Sequence, residues 1–288
     1  MTGSRKGAAL LPALLPAVMA LAACASGTTA DRAYLRGFAR AEAAGTPFAP
    51  ITDSEPQAGM DAAYRLQRQL VAARTARGDR IAGFKGGLMS AASMRARGVT
   101  KPLAGVLFAS GAAASGDALS LCGYRKASFE LKLGFVFSRA VSRLPADAAA
   151  LRQSVGTVMP VIDLPDIAYR DPDHYGAVDM VAANISAARY VRGKPGLTDA
   201  ADLDALKVVL SRDGQPVASG MGRESMGNQW DSLLTVTREI LLSGRQIAPG
   251  QLVLTGKIGD RGWLVPGDYR ADYGPLGTVA FGVKPCVK

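Results

Sequence analysis

The chain of 288 residues is 48% hydrophobic but only 6% aromatic, and it carries 34 basic against 24 acidic side chains. That is ample apolar material for a substantial core. Its basic residues never form a run of five, and aromatics are scarce, which argues against a nucleic-acid-binding function. The formal charge of +10 instead describes a basic surface suited to small anions or anionic lipid.

The first segment holds Arg5 and Lys6, an apolar stretch from Ala8 to Leu21, and the ending Leu21-Ala22-Ala23-Cys24. A short basic region, a short apolar run and small residues before the break describe a secretory signal. The run is too short to stay across a bilayer, and Pro12 and Pro16 weaken it as a long helix. The Leu-Ala-Ala-Cys ending resembles the lipobox of bacterial lipoproteins. That resemblance implies a lipid on Cys24, membrane attachment through it, and a place on the periplasmic side of a bacterial membrane, the outer one in a Gram-negative cell. The expected organisation is a signal peptide over 1–23, a small-residue tether over 24–30, and one domain over 31–288. Beyond Cys24 the charge is +8, since Arg5 and Lys6 are the only charged residues before it. Two further cysteines remain, Cys122 and Cys286. An oxidising compartment favours a bridge between them, and two buried thiols are the alternative.

Asp31 to Ala44 is rich in Ala, Arg and Glu and reads as a helix ended by Gly45. Glu55 to Arg77 reads as a second, with Ala63, Leu66, Leu70, Val71 and Ala73 close to helical spacing and Gly78 as the stop. Strand-like runs follow at Ile81 to Phe84 and Val106 to Phe108. Ser128 to Phe137 alternates, placing Phe129, Leu131, Leu133 and Phe135 on one face and Glu130 and Lys132 on the other. Thr157 to Leu164 reads as a strand and Ala182 to Tyr190 as a helix. Lys207 to Leu210 and Val217 to Ser219 flank the turn signal Asp213-Gly214. Asp231 to Leu242 is an amphipathic helix ended by Gly244. Gln251 to Thr255 and Gly277 to Val283 close the chain as strands. Helices early and strands later predict one mixed α/β domain, not a doubly wound sheet.

Five segments carry a resemblance, and they occur in one order. They are Gln67 to Lys85 with its Gly83-Phe84-Lys85 ending; Gly98-Val99 through Gly105-Val106-Leu107-Phe108; Glu130 to Phe137; Ser219-Gly220-Met221-Gly222 through Met226-Gly227; and Leu252 to Gly256 followed by Pro266-Gly267-Asp268 and Leu276-Gly277. Together they resemble the 2-keto-4-pentenoate hydratases of the fumarylacetoacetate-hydrolase superfamily over roughly residues 60–284, and their order makes coincidence a poor explanation. The resemblance implies a mixed α/β fold, a β-roll or β-sandwich with flanking helices and an N-terminal helical segment, commonly assembled as a homo-oligomer. It implies water addition to an unsaturated 2-keto acid, or a related decarboxylation or hydrolysis, with Mg²⁺ or Mn²⁺ taking up enolate charge.

Carried over residue by residue, the family lysine matches Lys85, which would move protons. The first strand carboxylate matches Glu130, and the third carboxylate matches Asp163, so these two would be the metal ligands. Leu88, Asn184, Thr255 and Gly256 would line the substrate pocket. Three positions depart from the pattern. The second strand carboxylate is Lys132, the shuttle aspartate after Pro102 is Leu103, and the later Asp-Asn pair reads Ala183-Asn184. An ammonium about 4 Å from a divalent cation is repelled by roughly 8 kcal/mol at an effective dielectric near 20. The expectation is therefore a weak or absent metal, with Lys132 paired to Glu130 or Asp163, or binding a substrate carboxylate directly. Lys85, Glu130 and Lys132 are then the candidate catalytic set of a hydratase-like lyase; the alternative is a non-catalytic periplasmic lipoprotein that binds a small carboxylate or serves a structural role in the cell envelope. The solitary histidine, His174, reads as a loop residue.

Overall fold

The structure, a computed structural model, describes residues 28–171, 173–196 and 202–287. The signal sequence and Cys24 lie outside the described residues. The first helix, α1 (Thr29–Ala44), is closed at its start by a capping box between Thr28 and Asp31 and at its end by Gly45 in the left-handed region. It begins two residues inside the stretch expected to be tether. α2 (Met60–Ala76) starts later than the expected Glu55, because Gly59 is its N-cap and residues 55–58 form a separate turn.

The strands and remaining helices follow as β1 (Ile81–Gly87), α3 (Ala91–Ala96), β2 (Leu103–Phe108), β3 (Ala112–Ala114), β4 (Ala118–Ser120), β5 (Ser128–Phe137), α4 (Ala148–Arg152), β6 (Val155–Leu164), α5 (Ala177–Ala182), β7 (Arg189–Arg192), β8 (Lys207–Arg212), β9 (Gln215–Met221), α6 (Gln229–Leu242), β10 (Leu252–Leu254), β11 (Ile258–Trp263), β12 (Gly267–Asp272) and β13 (Thr278–Lys284). One sheet runs β2-β1-β10-β5-β6-β7-β3, with β11 also paired to β5, and a second runs β4-β13-β12-β8-β9. Pairing is mostly antiparallel, with parallel contacts at β1–β10, β3–β7 and β4–β13. This is the expected mixed α/β architecture.

Phe129, Leu131, Leu133 and Phe135 of β5 point into the main core, with Val208, Leu210, Tyr269 and Phe281 of the second sheet. A smaller core, including Leu66, Val181 and Ile185, seats α2 and α5 near β2. Gly83 permits the close approach of β1 and β10, since a Cβ there would lie 1.8 Å from the Leu252 carbonyl oxygen. Cys122 and Cys286 are joined as a disulfide across 164 residues of sequence.

The expected helix over Ala182 to Tyr190 is a correction. α5 ends at Ala182, and Asn184, Ile185 and Ser186 have φ of 54°, 50° and 53° before β7 begins. Left-handed backbone costs roughly 1–2 kcal/mol per residue outside glycine, and more strain attends a β-branched Ile. Tertiary contacts hold the turn. The Val106 amide donates to Asn184 Oδ1 at 2.7 Å, and Asn184 Nδ2 donates to the Val106 carbonyl at 2.9 Å.

Candidate active site

Four adjacent strands, β1, β10, β5 and β6, bring the sequence-predicted residues together. Glu130 on β5 faces Asp163 on β6 as its direct cross-strand partner. Two carboxylates so opposed repel. Lys132, two residues along β5 and therefore on the same face, supplies the counter-charge. Its Nζ is 3.2 Å from Glu130 Oε2 and 3.5 Å from Asp163 Oδ2, and it donates to the Gly86 carbonyl at 3.0 Å. Only the Gly86 contact is a hydrogen bond; those to Glu130 and Asp163 are ion pairs, and among the described residues both buried Asp163 carboxylate oxygens lack a hydrogen-bond partner. Lys85, at the end of β1, places Nζ 2.6 Å from Asp163 Oδ2. Lys85, Lys132 and Asp163 are buried, at 2%, 1% and 0% exposure, while Glu130 keeps some of its side chain open.

Electrostatics follow from this packing. Burial pushes the Glu130 carboxyl up, but Lys132, Lys85 and then Arg261 outweigh it and hold it below the ordinary range. Burial pushes Lys132 down, but Glu130 and Asp163 outweigh that and hold its ammonium above the ordinary range. The cluster is charged on both sides and internally neutralised.

Lys85, Glu130 and Lys132 line a cavity of about 670 Å³. Leu88 and Gly256 line it too, and Leu88 does so with φ of 55°, a strained conformation of the sort that gathers at functional sites. Two sequence-predicted pocket residues do not. Thr255 is fully buried behind the wall, with its hydroxyl 2.7 Å from Gln229 Oε1. Asn184 is engaged by Val106, and its role is to pin the left-handed turn whose Ile185 and Ser186 do form cavity wall. The turn fits there because Gly87 has no side chain, as a Cβ would meet Ile185 Cγ2 at 2.9 Å. His174 is in an exposed loop beside Asp171.

Sequence reasoning missed Arg97, Lys257 and Arg261, which also line the cavity. Each is one basic residue among many, in no motif. Among the described residues no group of three or more His, Cys, Asp or Glu is placed to hold a metal ion.

The fold and this cleft define a class. The chain superposes with a TM-score of 0.84, at 23% identity, on the 4-oxalocrotonate decarboxylase of Pseudomonas putida G7 solved with magnesium and adipate, covering 88% of this chain and 97% of that one. It is 30% identical over 241 residues to the 2-keto-4-pentenoate hydratase of Burkholderia vietnamiensis strain G4, spanning 83% of this chain and 92% of the relative. A similar enzyme from Paraburkholderia xenovorans strain LB400 is 29% identical over 226 residues, or 78% and 83% of the two chains. The fold is thus that of the fumarylacetoacetate-hydrolase type. The chain belongs to the 2-keto-4-pentenoate hydratase family, whose relatives also include the 4-oxalocrotonate decarboxylase of Pseudomonas sp. strain CF600. No family model matches it.

Proposed function

We propose that the protein is a hydratase-like lyase for small 2-keto acids that works without a divalent cation, its own Lys132 ammonium standing between the carboxylates. The observation that carries this is the Lys132 geometry. A Mg²⁺ ion demands near-octahedral oxygen ligands at about 2.0–2.1 Å, and the space between Glu130 and Asp163 holds a cation already hydrogen-bonded to Gly86. Two carboxylates shared with two ammonium groups do not fit a dication.

In this reading the substrate lies in the cavity over Lys85 and Glu130. Lys85, paired with Asp163, carries the proton to and from the carbon skeleton. The positive charge of Lys85 and Lys132 stabilises the enolate as it forms. The strained turn and Leu88 shape the wall.

The test is absorbance loss of 2-hydroxypenta-2,4-dienoate with the full chain in EDTA. Turnover should persist, and Lys85→Met should abolish it. A strict requirement for Mg²⁺ or Mn²⁺ defeats the metal-free part of the reading. A second reading, a carboxylate-binding protein without turnover, is favoured by Leu103, which is buried where the family pattern has an acidic shuttle. Binding of a keto acid with no turnover under any metal condition selects it.

We further infer attachment through a lipid on Cys24, on the periplasmic side of a bacterial membrane. The basic-apolar-Leu-Ala-Ala-Cys order of the first 24 residues supports this. So does the Cys122–Cys286 bond, which suits an oxidising compartment. Among the described residues no helix is long and apolar enough to cross a membrane.

A further inference from the structure

Five cations line the main cavity: Lys85, Arg97, Lys132, Lys257 and Arg261. Three have carboxylate partners. Lys85 is paired with Asp163, Lys132 with Glu130 and Asp163, and Lys257 lies 3.5 Å from Asp260. Among the described residues the two guanidiniums pair with no carboxylate, and each rests on an aromatic face instead. Arg97 lies 4.3 Å over the Tyr175 ring and Arg261 5.0 Å over Trp263.

The two differ in exposure and contacts. Arg261 is exposed and near enough to Glu130 to help hold its carboxyl down. Arg97 is half-buried and held by a hydrogen bond as well as a ring. Its Nη1 donates to the Tyr175 carbonyl, and the buried Tyr175 ring is stacked on Tyr169 at 4.1 Å and 7°. A guanidinium has five donors in a rigid fork that matches a carboxylate. With its orientation set by a carbonyl and an aromatic column, Arg97 loses little freedom on binding an anion.

Lys132, by contrast, donates to the Gly86 carbonyl and is ion-paired with Glu130 and Asp163. The cavity therefore offers anion-binding capacity away from the lysine cluster. We propose that Arg97 selects 2-oxo dicarboxylates over the corresponding monocarboxylates, by holding the carboxylate remote from the keto group. This rests on the lyase reading above. Arg97 is a specificity residue here, since it touches the part of the substrate that does not react.

The experiment uses the purified full chain in mild detergent and EDTA, with calorimetric binding of 2-oxoadipate and of 2-oxohexanoate. These ligands differ only in the terminal carboxylate. Wild type should bind 2-oxoadipate at least tenfold more tightly. Arg97→Met, which keeps an unbranched stem against Tyr175, should remove that gain and leave 2-oxohexanoate within twofold. Arg97→Lys, which keeps the charge but not the fork, should retain an intermediate preference, and it also serves if Arg97→Met does not fold. Equal wild-type affinities overturn the proposal while leaving the 2-keto acid reading intact. So does a preference that survives Arg97→Met, or an equal loss for both ligands. Binding of neither ligand overturns both.

Discussion

Lys132 donates to the Gly86 carbonyl and is ion-paired with Glu130 and Asp163 within 3.5 Å, and its removal would leave Glu130 and the buried Asp163 opposed. Breaking such a buried pair costs about 3–5 kcal/mol, so Lys132→Met should lower the urea midpoint by a corresponding amount. Lys132→Glu should do likewise in EDTA and regain stability with Mn²⁺, measured as a rise in Tm that wild type lacks. An equal Mn²⁺ response in wild type contradicts the metal-free reading. The pH dependence has a defined sign. Glu130 is held below its ordinary value of 4.5, so its contribution is complete above that value and is lost as pH falls through the lower folded value. Lys132 is held above its ordinary value of 10.5, so its contribution is complete below that and fades as pH rises through the higher folded value. Urea midpoints between pH 2 and 7 should show a shallower acid limb in Glu130→Gln than in wild type; superimposable limbs refute this assignment. At this scale the shared face of Glu130 and Lys132 was legible because i, i+2 spacing on a strand fixes it, while Lys85 and Asp163 were legible through the family resemblance. Arg97 and Arg261 were not, since a single arginine becomes part of a pocket only when distant segments meet.

Secondary-structure elements divide by how locally they are determined. β5 was readable because its alternating residues pack into the core between the sheets. α6 (Gln229–Leu242) was readable through its periodic apolar face, and it starts two residues before the expected Asp231 because Asn228 caps it, accepting from the Trp230 and Asp231 amides. The left-handed turn at Asn184 to Ser186 was not, because Ala-rich sequence around it favours helix and two hydrogen bonds to Val106, from 78 positions earlier, override that preference. Asn184→Ala removes both and leaves the Val106 amide and carbonyl buried without those partners. The expected loss is about 2–4 kcal/mol, with reduced ligand affinity because Ile185 and Ser186 form cavity wall. Thermal melts with and without 2-oxoadipate check both effects, and an unchanged Tm refutes the anchoring role. Gly83→Ala should be more severe, exceeding 4 kcal/mol, because the new Cβ meets the Leu252 backbone and parts β1 from β10. Circular dichroism melts of that variant should show the loss.

Across the whole molecule, the Cys122–Cys286 bond closes a loop with a sequence separation of 164 residues and ties the region after β4 to the chain end after β13. Chain-entropy reasoning assigns a loop of that size about 5 kcal/mol, so the double Cys→Ala variant should unfold at clearly lower urea. The same midpoint with and without reductant refutes a stabilising bridge. What the sequence determined by itself was the class of fold, the ordered family motifs, the strand that carries Glu130 and Lys132, and the departure from the family pattern at three acidic positions, Lys132, Leu103 and Ala183. All of these are local, since each depends on spacing along a few residues. Only the tertiary structure decided that Lys132 is ion-paired with both Glu130 and Asp163, that Thr255 lies behind the wall, that Asn184 pins a strained turn, and that Arg97 stands on an aromatic column inside the cavity. Each depends on segments far apart in the chain meeting at hydrogen-bond or van der Waals distance, where burial makes every polar partner costly to lose.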